Sequence, residues 1–191
     1  MYDLLGLIES LRMDCEAMGG LAQSPESKEL ELLHGLVRCW HPHLIMESGA
    51  YYGCSTIIMA HALMENGSGS IITCELDAGN IPQLNANLIK YGYPDIVKIY
   101  NCSGRALPDI SGSNGWHFAF LDSDHSYENI SAEMEIYYRG LSHNGLLVLH
   151  DANSDNSIDV NGDGVAKLFN ELPYNKIRTL TRNGLGIIQK T

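Results

Sequence analysis

Leu44-Ile45-Met46-Glu47-Ser48-Gly49-Ala50-Tyr51-Tyr52-Gly53-Cys54-Ser55-Thr56 joins an apolar strand to a hydrophobic run of helical character through two glycines four positions apart. A strand that ends in glycine can turn sharply and bring its backbone close to a ligand. The helix that follows offers unpaired N–H groups and the positive end of its dipole. The stretch reads as the turn of a nucleotide-type binding site at the carboxyl end of a buried parallel strand.

Upstream of it, Leu4, Leu5, Leu7, Ile8, Leu11 and Met13 recur at three- and four-residue spacing, which predicts a helix over residues 2–18 stopped by Gly19-Gly20. Ser24-Pro25 reads as an N-cap with proline at the first helical position, opening a second helix that carries Leu30, Leu32, Leu33, Leu36 and Val37 towards Trp40. Downstream, helices are predicted over residues 56–65, 79–91, 127–141 and 165–172, and strands over 70–76, 96–101, 117–122 and 145–150. After residue 101 a short polar link leads through Leu107-Pro108 to Gly115. Strands alternating with helices imply a parallel sheet covered on both faces. The end differs: segments 177–182 and 185–189 flank Asn183-Gly184, the dipeptide of a type I′ hairpin, which predicts an antiparallel pair closing the sheet.

A chain of 191 residues fits one domain, with two N-terminal helices in residues 1–42 and the sheet in residues 43–191. Hydrophobic residues make up 45 % and charged residues 18 %, and no apolar run has the length of a membrane span or follows a basic signal-peptide start. The expectation is a cytoplasmic protein that engages no membrane. Twelve basic against 23 acidic residues, a net charge of -11 with no Lys/Arg cluster, argue against a nucleic-acid partner. The five cysteines include no C-x-x-C pair and read as reduced thiols, Cys54 alone lying near a helix start.

Three motifs converge on one rim of the sheet. Glu47, Gly49, Tyr51, Gly53 and Ser55 form the turn, and Glu75 ends the next strand, where an acid can accept both hydroxyls of a ribose. The pattern is G-x-x-x-G, not the dinucleotide G-x-G-x-x-G, and Tyr51 is bulky where a pyrophosphate would press, so a nucleoside without diphosphate fits better. The second motif, Phe120-Leu121-Asp122-Ser123-Asp124-His125-Ser126-Tyr127-Glu128, ends a strand in two acids and a histidine; Ser126 and Glu128 read as capping residues. The third is Val148-Leu149-His150-Asp151-Ala152-Asn153. Neighbouring strand ends put Asp122 and Asp151 where a hard cation could bridge them, with Asn153, His125 or His150 completing the shell; strand-end acids also hold arginines or cap helices. Residues 159–164 copy half an EF-hand loop, but the twelfth position is Asn170 in place of glutamate, so residues 152–163 read as a polar loop at the rim, placed to act as a lid.

Taken together, Glu47 to Ser55, Glu75, Phe120 to Glu128 and His150-Asp151 resemble class I S-adenosylmethionine-dependent methyltransferases, in particular bacterial small-molecule O-methyltransferases of the macrocin O-methyltransferase and cephalosporin-hydroxylase-like group. The resemblance implies a Rossmann-like doubly wound sheet of order 3-2-1-4-5-7-6, mostly parallel with a C-terminal antiparallel hairpin, preceded by two extra helices. It implies S-adenosylmethionine as cofactor, held by Glu47, Gly49, Tyr51, Gly53, Ser55, Glu75, Ser103 and Asp122. It also implies a divalent metal, usually magnesium, at Asp122 and Asp151, with Asn153 third although Ala152 interrupts the Asp-Asn pair of catechol-type relatives. The acceptor would be a small-molecule hydroxyl, in a chain free to form a homo-oligomer. Without metal, His125 and then His150 would be the general base, joining Asp151 as catalytic residues. The alternatives are a non-catalytic cofactor-binding or scaffold protein of the same fold and, disfavoured by the missing glycine and the hairpin, an NAD-type oxidoreductase.

Overall fold

The computed structural model describes residues 3–17, 27–153 and 164–191. The Ser24-Pro25 cap, the half EF-hand sequence except Gly164, and all but the first two residues of the expected lid lie outside them. Two helices, α1 (Leu4–Ala17) and α2 (Ser27–Trp40), precede the alternating core: β1 (Leu44–Ser48), α3 (Cys54–Asn66), β2 (Ser70–Cys74), α4 (Ile81–Tyr91), β3 (Val97–Tyr100), α5 (Leu107–Ser111), β4 (Trp116–Leu121), α6 (Tyr127–Gly140), β5 (Leu141–Leu149), α7 (Gly164–Glu171), β6 (Lys176–Arg178) and β7 (Gly186–Gln189). The strands form one sheet of order β3-β2-β1-β4-β5-β7-β6, in which β1 to β5 are parallel and β7 runs antiparallel to both β5 and β6. This is the doubly wound, hairpin-closed sheet that the sequence implied.

Alternation along each strand sorts the core into two layers. Ile45, Phe118, Phe120, Leu146 and Val148 face α3, where Leu7, Ile8, Leu11, Leu30, Leu33 and Val37 bring α1 and α2 into the same layer. Met46, Ala119, Leu121, Leu147 and Leu149 face Ile130, Met134 and Tyr137 of α6 and Val165 and Phe169 of α7. Helix α3, buried from Cys54 to Leu63, is the pillar between the sheet and the N-terminal helices.

Two local readings are corrected. Residues 107–111 form the short helix α5, because Pro108 sits in its first turn with no N–H to satisfy and Gly112 closes it in the left-handed conformation. The terminal strands are joined by a long loop and not by a two-residue turn. Gly184 has φ +77°, but Asn183 is not left-handed, as a type I′ turn would require. The Gly184 N–H is instead donated to the Glu29 carboxylate on α2, 2.8 Å away.

Candidate active site

The register assembles the site. Ser48 pairs with Cys74 on one side and Leu121 on the other, and Leu121 pairs with Leu149. The residues that follow, Gly49, Glu75, Asp122 and His150, therefore stand level along one rim. Since Leu121 and Leu149 point to the α6 layer, Asp122 and His150 turn to the α3 side.

The glycine turn is tightly built. Gly49 has φ +87°, and a Cβ there would stand 2.2 Å from the Asp122 carbonyl oxygen, so β1 and β4 can end this close only with glycine. Gly53 (φ +93°) caps α3 against Leu84. Tyr51 is itself left-handed at φ +48°, and its N–H donates to Glu75 Oε2 at 2.8 Å, while its ring stacks on Tyr52. Glu75 also accepts from the Asp77 N–H and the Asn80 amide. Asn101 donates to the carbonyls of Glu75 and Leu76, and the Ser103 carbonyl receives the N–H groups of Ala106 and Leu107, so this part of the rim is held by the backbone of the β2 and β3 ends.

Glu47 and Ser55, expected to face a cofactor, face each other. Glu47 is fully buried on the α3 side of β1 and accepts the hydroxyls of Ser55 and Thr56, each at 2.6 Å. The first turn of α3 lies directly over the strand, so these hydroxyls reach back to it before they reach the rim. Burial pushes the Glu47 carboxyl up to about 7 against the pull of those hydrogen bonds. Two thiols near the turn are withdrawn from chemistry: Cys54 is buried, and burial raises Cys74 to about 12.

Beside the turn, Asp122, His125, His150 and Asp151 gather, each offering a ligand atom within 4.8 Å of the others. His125 lies between the carboxylates, with Nδ1 3.0 Å from Asp151 Oδ2 and Nε2 3.4 Å from Asp122 Oδ1. Burial pulls its pKa down, but the hydrogen bonds and charges of the two aspartates more than offset it and hold the imidazole up at about 10. This shift favours an imidazolium between the two carboxylates and runs against the neutral general base expected at His125. The reciprocal effect keeps Asp122 and Asp151 below the usual carboxylate range despite burial.

His150 is deeper. Its Nε2 meets Glu29 Oε2 at 3.2 Å. Its Nδ1 is 3.0 Å from Asp122 Oδ1 and 3.3 Å from Asp151 Oδ2, yet it is aligned for a hydrogen bond with neither. A buried ring nitrogen aimed between two carboxylates, with its other nitrogen held by a third, is the arrangement of a metal-binding histidine and its orienting acid. The donor set fits a divalent cation. Asn153 leaves that set: its amide donates to the carbonyls of Thr179 and Thr181 and its side chain lies against Gly184. With Ala152 between them, Asp151 and Asn153 leave the strand in different directions, Asp151 itself being left-handed at φ +57°.

Two buried carboxylates were not apparent from the sequence. Glu29 on α2 accepts from His150, the Thr181 hydroxyl and the Gly184 N–H. Glu133 on α6 accepts from the hydroxyls of Ser48 and Ser123 and the Asn129 amide, tying the ends of β1 and β4 to α6; burial raises its pKa. The one available signal was an acid at a core position of an amphipathic helix, flanked by Leu30 and Leu33 in one case and by Ile130, Met134 and Tyr137 in the other.

Residues 46–152, more than half of the chain, match a family model described as a methyltransferase domain. The chain belongs to the methyltransferase-domain family. A rhamnosyl O-methyltransferase of Mycobacterium leprae (strain TN) is 27 % identical to it over 150 residues, which are 74 % of this chain and 59 % of the relative. This methyltransferase-domain chain thus spans about three fifths of that relative's length. Among solved structures, the SAH-bound Podospora anserina methyltransferase PaMTH1 superposes with a TM-score of 0.77 at 17 % identity, covering 100 % of this chain and 89 % of its own. The Bacillus cereus O-methyltransferase in complex with SAH gives 0.74 at 20 % identity, covering 99 % and 90 %. Both carry the fold of this methyltransferase domain. No helix among the described residues is long and apolar enough to cross a membrane.

Proposed function

We propose that the protein transfers the methyl group of S-adenosylmethionine to a hydroxyl of a small molecule, with a divalent cation held by Asp122, Asp151 and His150. The observation that carries this reading is the convergence of the unspent His150 Nδ1 with the Asp122 and Asp151 carboxylates directly beside the Gly49–Gly53 turn. Family membership supports the methyl transfer, and the SAH complexes of the two structural relatives support the same cofactor here. Asp122, expected at both cofactor and metal, is placed to serve both: its carbonyl lies against Gly49 of the turn, and its carboxylate lies beside His150 Nδ1.

The residues divide the work by position. Gly49 and Gly53 let the turn close tightly against Asp122 and Leu84 and so shape the cofactor's seat, Tyr51 and Glu75 border its nucleoside, and Ser103 follows β3 on the adenine side. Bound together, the cofactor supplies an activated methyl group and the cation a Lewis acid that lowers the cost of deprotonating the acceptor hydroxyl. Asp122 and Asp151 orient the hydroxyl by holding its counter-charge, and Glu29 fixes the His150 tautomer so that Nδ1 stays a ligand. His125 is the proton carrier nearest to both carboxylates. One imidazole and two carboxylates suit Mn2+ as well as Mg2+.

Calorimetry on protein stripped of endogenous ligand is expected to show binding of S-adenosylmethionine and its demethylated product; no heat with either would sink the reading. Methyl transfer to a panel of catechol, polyketide and sugar hydroxyls, the last chosen because one relative is a rhamnosyl O-methyltransferase, is expected to fall roughly 100-fold or more in Asp151→Ala and on chelation. Turnover indifferent to both would remove the cation and spare the methyl transfer. Cofactor binding without turnover on any acceptor would favour the non-catalytic alternative.

A further inference from the structure

Away from the rim, α2 and α3 pack with three metal-ligating side chains facing one another. His34 of α2 has Nε2 2.9 Å from Glu65 Oε2, and His61 of α3 has Nε2 3.7 Å from Glu65 Oε1, one turn along the same helix. The two imidazoles tilt together with centroids 5.5 Å apart. The three donor atoms lie within 4.8 Å of one another.

We propose that His34, His61 and Glu65 form a second metal site, separate from the methyl-transfer centre, that takes a Zn2+-class ion and clips α2 to α3. Both histidines are more than nine-tenths buried, and neither Nε2 has a hydrogen-bond partner: Glu65 is close to both but in line with neither. Two buried ring nitrogens that face one carboxylate without an aligned hydrogen bond are costly unless an ion takes them. The His61 ring is fixed from behind by Nδ1 against the Tyr93 hydroxyl at 2.7 Å, the orienting contact that metal-bound histidines have. Burial lowers both histidine pKa values, which keeps the rings in the neutral form a metal needs.

Arg38 Nε, 3.2 Å from Glu65 Oε2, orients that carboxylate and leaves Oε1 towards His61. Two imidazoles and one carboxylate match the ligand types and number of a three-residue zinc site with its fourth position open. Tetrahedral zinc needs its ligand atoms about 3.4 Å apart, so the donors close by small side-chain rotations. The partly exposed Glu65 provides the way in.

The site is tested on the full chain by equilibrium dialysis against Zn2+ at low micromolar free metal, with bound metal counted by atomic emission. Asp122→Asn, which disables the rim cluster, is expected to retain one equivalent and to gain melting temperature with Zn2+. Adding His34→Gln is expected to remove that equivalent and the gain while leaving the far-ultraviolet circular dichroism unchanged. Glu65→Gln, at the exposed edge where folding is least at risk, is expected to weaken Zn2+ binding at least tenfold in the same background. Equal Zn2+ on Asp122→Asn and on its Glu65→Gln and His34→Gln derivatives would overturn the proposal.

Discussion

Glu47 shows how one buried residue can be read correctly in place and incorrectly in role. Its position at the end of a strand before a glycine turn was plain from the sequence, but an acid there looked like a ligand for a cofactor. Which way a strand-end side chain turns depends on what lies above it, and Ser55 and Thr56 are delivered to it only by the packing of α3. A pH dependence follows. The folded state raises this carboxyl from 4.5 to about 7, so folded protein binds the proton more tightly than unfolded chain, and stability falls as pH rises between those values. The loss is roughly 3 kcal/mol at most. Glu47→Gln keeps an acceptor for the hydroxyls and cannot ionise, so its urea midpoint is expected to change less between pH 5 and pH 8 than that of the natural protein. A variant with the same drop would assign the slope to other groups. At this scale Asp122, His150 and Asp151 were legible because strand ends declare themselves, whereas Glu29 was not, since its partners lie more than a hundred positions away.

Helix α2 does more than cover α3. Its first turn carries Glu29 into a space bounded by His150, Thr181 and Gly184, so that one carboxylate satisfies a ring nitrogen, a hydroxyl and a backbone N–H. Glu29→Ala leaves the His150 ring nitrogen and the Gly184 N–H buried without this acceptor and is expected to cost about 3–5 kcal/mol in chemical denaturation. Glu29→Gln retains acceptor capacity but loses the charge, and is expected to weaken Mn2+ binding at the rim about 10–100-fold in calorimetric titration while costing far less stability. Equal Mn2+ affinity in Glu29→Gln would reduce the residue to a purely architectural part. The same contact explains why the hairpin's turn departs from the expected type I′ form. Asn183-Gly184 does mark a turn, but dipeptide rules describe a turn closed by its own strands, and this one donates to a helix from the other end of the chain.

For the whole molecule, the two-layer parallel core was legible because hydrophobic periodicity and crossover connections leave few alternatives, and the strand order was legible through the family resemblance. The division into N-terminal helices and a sheet core was legible only as a boundary in sequence. The buried face that α1 and α2 share with α3 argues that the chain folds as one unit, and we propose that it does. A variant lacking residues 1–42 exposes Ile57, Ile58 and their neighbours and removes Glu29. It is expected to lose near-ultraviolet circular dichroism and to bind a hydrophobic dye; a sharp cooperative melt of that variant would instead establish the core as independent. The bridge from Glu29 to Thr181 and Gly184 also has a consequence in time. During synthesis the sheet can begin to form as soon as β1 to β5 emerge, but the Glu29 carboxylate gains the Thr181 hydroxyl and the Gly184 N–H only after residues 181–184 have followed. The rim is therefore finished later than the sheet beside it, and a nascent chain carries the fold's outline before it carries all the contacts that hold the site.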